Sequence, residues 1–192
     1  MNHTKDDEIR NTILEAAKTV FKKWGLYKST MEDIAQEAGK GKSTLYYYFK
    51  CKEEIFETVV LEEFNTVFGY TRKAVEDIPA PKEKLKRYIF ETLTTVKNLM
   101  NSYSIVRSEV KANRYLIKKI QDIILLKEEE FIKQILELGV NSKEFSFINE
   151  NELQNAAKAV TGIISAMELY LFLDNDDFEQ IDIAAKLIAN GI

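Results

Sequence analysis

Fourteen consecutive residues, Gly39 to Lys52, read GKGKSTLYYYFKCK and concentrate the groups of this chain best suited to holding an anion. Lys40, Lys42, Lys50 and Lys52 carry positive charge, while Ser43, Thr44, Tyr46, Tyr47 and Tyr48 offer hydroxyl donors. Ammonium and hydroxyl groups together suit phosphate oxygens, the first by charge and the second by directed hydrogen bonds. Other chemistries fit less well. The letters GKS suggest a nucleotide phosphate loop, but that motif needs glycine where Gln36 stands and a strand where QEAG reads as helix. Histidine catalysis and histidine-bearing metal sites lack their residue, because the only histidine is His3, beside the N-terminus. Glu109 and Glu168 are left as a candidate acid/base pair in a helical pocket, with nothing else to support catalysis. An enzyme is therefore not expected, and no catalytic residue, metal or cofactor is assigned. Cys51, between two lysines at a helix start, has the surroundings that lower a thiol pKa. It reads either as a redox switch or as a thiol standing where a serine cap would.

These groups need elements to hold them. The chain has 192 residues, 45% of them hydrophobic, enough for a core, and only 7 Gly and 2 Pro, which favours long helices over frequent turns. Ile9, Ile13, Ala16, Ala17, Val20, Phe21 and Trp24 recur at helical spacing, so a first helix is expected over about 6–24, ended by Gly25. Ser29-x-x-Glu32 and Thr30-x-x-Asp33 both resemble capping boxes, and either residue can open a second helix that runs to Ala38. Gly39 ends it, and a third helix begins near Ser43. Leu45 and Phe49, four residues apart, supply its buried stripe. Lys42, Thr44, Tyr46, Tyr47 and Tyr48 are left on its other sides. A long fourth helix starts near Cys51 and carries Ile55, Phe56, Val59 and Val67. Pro79 and Pro81, in DIPAPK, mark the clearest internal boundary. Further helices are expected at about 82–101, 103–111, 114–138, 150–173 and 177–189, with a loop over 141–149. The class is all-α, with about nine helices. Residues 1–50 form a three-helix head, joined by the fourth helix to a helical body over 51–192.

Two short helices joined by a tight glycine turn make a helix-turn-helix, whose second helix lies in the DNA major groove. Lys42, Thr44, Tyr46, Tyr47 and Lys52 suit the phosphates and bases met there. The competing reading is a solvated helical face with an ordinary tyrosine cluster. Charge distribution favours the first. The whole chain carries −4, but residues 1–52 hold ten Lys/Arg against seven Asp/Glu, so a basic head sits on an acidic body. No stretch approaches 18 uninterrupted apolar residues and the N-terminus has no apolar signal region, so neither a membrane span nor export is expected. One cysteine cannot form an internal disulfide, which fits a cytoplasmic setting.

Residues 12–56 resemble the DNA-binding head of the TetR-type transcriptional regulators. The resemblance rests on AAKTVFKKWG, STMEDIAQEAG, KSTLYYYF and KEEIF, in that order and at that spacing. It implies an all-helical homodimer, usually a repressor that a small ligand releases from a palindromic double-stranded DNA operator. By position it implies phosphate contacts at Thr30, Thr44, Tyr46 and Lys52, and contacts to bases or adjacent phosphates at Lys42 and Tyr47. Lys40 departs from the small apolar residue usual after the turn glycine. Its stem is expected to cover the core while its ammonium adds charge near DNA. Gly41 replaces the usual serine cap, a change expected to cost little, and Ser43 is counted among the candidate DNA-contacting residues.

The body is less specific. One head reads few bases, so pairing of two heads is expected. Ala159, Gly162, Ile163, Ala166, Met167 and Tyr170, with Ile181, Ala184, Ala185 and Ile188, are candidates for a two-fold four-helix interface. The same stripes could instead face the chain's own core. An apolar, aromatic effector pocket is expected between the prolines and that interface, with Tyr88, Tyr103, Arg107, Asn113 and Phe131 as its candidate lining, and Phe90, Val106, Glu109 and Tyr115 nearby. The effector is an unknown small molecule. A reading of another class is a helical dimer that binds ligand or protein without DNA; replacing Lys42, Tyr46 and Lys52 would leave such a protein's function intact.

Overall fold

The computed structural model describes residues 5–105, 109, 115–146, 148–173 and 179–191. Among these the chain forms eight α-helices and no strand: α1 (Lys5–Lys28), α2 (Met31–Glu37), α3 (Lys42–Tyr48), α4 (Lys52–Ala74), α5 (Pro81–Ser102), α6 (Tyr115–Asn141), α7 (Leu153–Leu173) and α8 (Glu179–Gly191). A single 3-10 turn, Glu150–Glu152, leads into α7. The all-α architecture is as the sequence predicts. The short helix expected over 103–111 falls largely outside the described residues. Pro81, at the first position of α5, loses nothing by lacking an N–H there.

The chain divides into two compact units. The first comprises Met1–Glu63 and Met100–Ile120, the second Phe64–Leu99 and Gln121–Ile192. In the first, Ile13, Ala17, Phe21, Ile34, Leu45 and Ile55 are fully or almost fully buried, and the Phe21 and Phe56 rings meet edge-on at 5.5 Å. Trp24 leaves the expected stripe: it is 48% exposed, with the Lys23 ammonium 4.9 Å from its ring centroid. Gly25, with φ of 76° and ψ of 178°, breaks the helix one residue later. That conformation is essentially open to glycine alone. A Cβ there would also lie 2.6 Å from Glu109 Oε1 and 2.7 Å from Ile105 Cγ2.

The second unit is built on Leu85, Tyr88, Ile89, Ile132, Leu136 and Ile164, all with no exposed surface. Gly139 permits the tightest approach in it, because a Cβ would fall 1.9 Å from the ring of buried Phe145.

Candidate nucleic-acid interface

Local sequence chemistry defines the α2–turn–α3 segment. Thr30 caps α2, not Ser29. The Thr30 hydroxyl accepts from the Asp33 amide at 3.1 Å, and the Asp33 carboxylate accepts from the Thr30 amide at 2.8 Å, a reciprocal capping box. Ser29 is buried, and its hydroxyl donates to the Gly25 carbonyl. At the other end of α2 the Gly39 amide donates to the Gln36 carbonyl at 3.1 Å, and the Lys40 amide to the Ala35 carbonyl at 3.0 Å. These two bonds are a full Schellman motif, and Gly39 supplies the positive φ of 61° it needs. Gly41 then caps α3 with extended backbone and no side-chain bond. The chain thus reverses between two seven-residue helices in four residues.

On α3, Leu45 and Phe49 turn inward as their spacing predicts. Tyr46 is 50% exposed and Tyr47 77%. Thr30, Lys40, Lys42 and Ser43 are exposed, and Thr44 is half-buried. Lys42 lies 3.5 Å from Glu32, an ion pair with both partners largely in water and so weakly held. Tyr48 differs from its neighbours: its hydroxyl donates to Asp6 at 2.9 Å, and its ring meets that of Tyr47 edge-on at 5.0 Å. Hydroxyl and ammonium groups on one exposed face, rigidly held by a buried Leu/Phe stripe, can bind consecutive phosphates.

Lys52 does something its sequence position did not suggest. Its ammonium donates to the carbonyls of Leu26 (2.8 Å), Tyr27 (3.1 Å) and Ser29 (2.8 Å). All three of its protons are therefore directed at the orphan carbonyls that follow the α1 break. Glu109 grips the same segment from the donor side, accepting from the Leu26 amide at 2.6 Å and the Tyr27 amide at 2.9 Å. Sequence reading left Glu109 as a surface charge, a pocket residue or half of an acid/base pair. In the structure it belongs to the first unit and Glu168 to the second. No local sequence signal marks a contact between residues 83 positions apart. Cys51 is exposed.

The candidates in the body separate. Tyr88 and Phe131 come together in the second unit, with ring centroids 4.9 Å apart. Tyr103 lies in the first unit, donating to Glu63 at 3.1 Å, with the Lys22 ammonium 4.7 Å from its ring. Val106, Arg107 and Asn113, and the side chain of Tyr115, lie outside the described residues, as does the side chain of Tyr170. Ala159, Gly162, Ile163 and Ala166 are exposed along α7, and Met167 is half-buried. On α8 the expected stripe turns inward: Ile181 and Ala185 are completely buried in the core of their own unit, and Ala184 and Ile188 are half-buried. The outward residues of α8 are Ile183 and Leu187, 55% and 70% exposed.

A tight Schellman turn between two short helices, with cations and hydroxyls on the outer face of the second, defines a helix-turn-helix DNA-binding regulator. The comparisons agree. The model of the bacterial regulatory proteins of the tetR family matches residues 13–59. The uncharacterized HTH-type transcriptional regulator YfiR of Bacillus subtilis is 26% identical over 86% of this chain and 91% of its own length. The fatty acid metabolism regulator protein of the same organism is 25% identical over 94% and 93%. The crystal structure of a transcriptional regulator from Cytophaga hutchinsonii superimposes with a TM-score of 0.72, at 27% identity, over 94% of both chains. Residues 13–59 thus carry the DNA-binding head of the tetR family, and along nearly its whole length the chain is similar to DNA-binding transcriptional regulators. Among the described residues no helix is long and apolar enough to cross a membrane.

Proposed function

We propose that this regulator is a ligand-responsive repressor that binds a palindromic operator as a homodimer and is released by a small molecule. The observation that carries the reading is the outer face of α3, where Lys42, Ser43, Tyr46 and Tyr47 are exposed at the end of a rigid turn. In this reading residues 1–50 are the DNA-binding domain and 51–192 serve effector binding and dimerisation. Thr30, Thr44 and Tyr46 donate to phosphates, Lys42 and Tyr47 reach bases or adjacent phosphates, and Lys40 and Ser43 add contacts at the turn. Lys52 contributes its charge to the phosphate field while its protons hold the end of α1.

Two copies meet through the exposed small-residue stripe of α7, Ala159, Gly162, Ile163 and Ala166, with Ile183 and Leu187 of α8 beside it. Such a pairing carries two heads, and heads about 34–36 Å apart read one helical turn of DNA. Tyr88 and Phe131 line the effector site. Binding there favours a conformation in which α4 moves and the heads no longer match the operator, to the extent that the ligand prefers that conformation. The test is a DNA titration over a salt series. Each lysine that neutralises a phosphate contributes about 0.9 to the slope of log affinity against log salt. Lys42→Ala in both heads of a dimer is expected to lower the slope by about two. An unchanged slope and affinity would leave the rival reading, a ligand- or protein-binding helical dimer that does not use DNA.

A further inference from the structure

In the second unit two carboxyl groups each have an oxygen cut off from water and without a hydrogen-bond partner among the described residues. Glu128, on α6, is 1% exposed. One of its oxygens accepts from the Tyr88 hydroxyl at 3.0 Å; the other is cut off from water with no hydrogen-bond partner among the described residues. Glu168, on α7, has Oε1 in the same condition, and the negative charge of Glu128 acts on it. Two turns earlier on the same face of α7, the hydroxyl of Thr161, itself 2% exposed, is also buried without a partner. Such polar groups are rarely left unsatisfied in a folded core, and an unpaired buried carboxylate is the costliest kind. What surrounds them is apolar and aromatic: Tyr88 and Phe131 in edge contact, Phe68 6.1 Å from Phe131, and Ile164 between Thr161 and Glu168 on α7. Arg72, exposed, has its guanidinium 4.6 Å from the Phe131 centroid, and Lys97 of α5 is buried in the same unit.

We propose that Glu128 and Glu168, with Tyr88 and Thr161, are the polar recognition point for the effector, and that the effector carries a cationic nitrogen on an apolar body. An ammonium or amidinium brings what these groups lack: a counter-charge, and N–H donors for the two idle carboxylate oxygens and the threonine hydroxyl. The aromatic rings beside them favour a cation further. A carboxylate or phosphate would bring a further negative charge into a buried site that already penalises the charge of its own carboxyl groups, which disfavours it. This inference rests on the reading of the second unit as effector-binding. It departs from what the name of the fatty acid regulator would suggest for this chain.

The test is calorimetry of the full-length protein with octylammonium and, as a match in length and shape, octanoate. One octylammonium per chain is expected to bind, at least tenfold more weakly to Glu128→Gln and Glu168→Gln, with no octanoate binding to the wild type. Circular dichroism verifies that both variants remain helical. The proposal is overturned if octanoate binds as well as octylammonium, if the two Gln variants bind octylammonium like the wild type, or if neither compound binds. DNA titrations with the same two compounds separate this from the broader reading. Octanoate that binds and weakens DNA affinity would overturn the cation inference and keep the effector-binding body. Octylammonium that binds at the carboxyl groups and leaves DNA affinity unchanged would keep the site and overturn its regulatory role.

Discussion

The buried acid on α6 makes a quantitative prediction for the protein without ligand. Burial raises the Glu128 carboxyl from the ordinary 4.5 to about 7, with the Tyr88 hydrogen bond acting in the opposite direction. Glu168 is also raised well above 4.5, by burial first and by the charge of Glu128 second. A folded-state pKa above the unfolded value means that the folded chain binds the proton more tightly. The stability this group contributes is complete below about pH 4.5 and is lost as pH rises through about 7. A shift of this size corresponds to about 3 kcal/mol. In a chain of this length, 1 kcal/mol moves the melting temperature by roughly 2–4 °C. Glu128→Gln keeps an acceptor for Tyr88 and cannot ionise. The wild type is therefore expected to melt roughly 6–12 °C lower at pH 8 than at pH 5 from this group alone, and Glu128→Gln to lose most of that difference. The two proteins should melt alike at pH 5. Thermal melts followed by circular dichroism from pH 5 to 8 measure this. A wild-type melting temperature that is flat or rises over that range, or a Gln variant with the same pH dependence, would refute the reasoning.

Three further predictions follow from the packing. Gly139→Ala places a Cβ 1.9 Å from the Phe145 ring, so chemical denaturation should show a loss of roughly 3 kcal/mol or more. Lys52→Met removes three hydrogen bonds from the end of α1 and is expected to cost roughly 2 kcal/mol of stability, with faster amide exchange around residues 26–29, whereas Lys42→Ala should change stability by less than about 0.5 kcal/mol. Ile163→Glu together with Leu187→Glu places charge on the exposed stripes of α7 and α8, and sedimentation should show dimers for the wild type and monomers for the double variant, with helix content retained.

What the sequence revealed was local. The spacing from Ile13 to Phe21, the glycines at 25 and 39 and the Leu45/Phe49 pair act within a few residues of themselves, and the structure forms helices and turns there as expected. Competing caps such as Ser29 and Thr30 differ only in which side chain the break at Gly25 pulls inward, and that is decided in three dimensions. Lys52 was read as a free charge because the carbonyls it serves lie more than 20 residues away in sequence. Glu128 sits in the run Lys127-Glu128-Glu129-Glu130, which reads as a solvated face. A usable signal was present: Glu128 is four residues before Ile132 and seven before Ile135, so helical spacing puts it on the inward stripe. Glu168 likewise follows Ile164 by four. An acidic residue on an apolar stripe marks a buried charge. On α8 two stripes of similar apolar character face opposite ways, and only packing distinguishes Ile181 and Ala185, turned inward, from Ile183 and Leu187.

The central claim is that α3 reads DNA with its exposed lysine and tyrosines. The most direct measurement is selection of binding sites from random duplex DNA by the purified protein, followed by titration of the recovered site with Tyr46→Phe and Lys42→Ala. A palindrome with half-sites about one helical turn apart, bound more weakly by both variants, is the predicted result. No enriched sequence at low salt, even after the protein has been unfolded and refolded free of any bound small molecule, would contradict it.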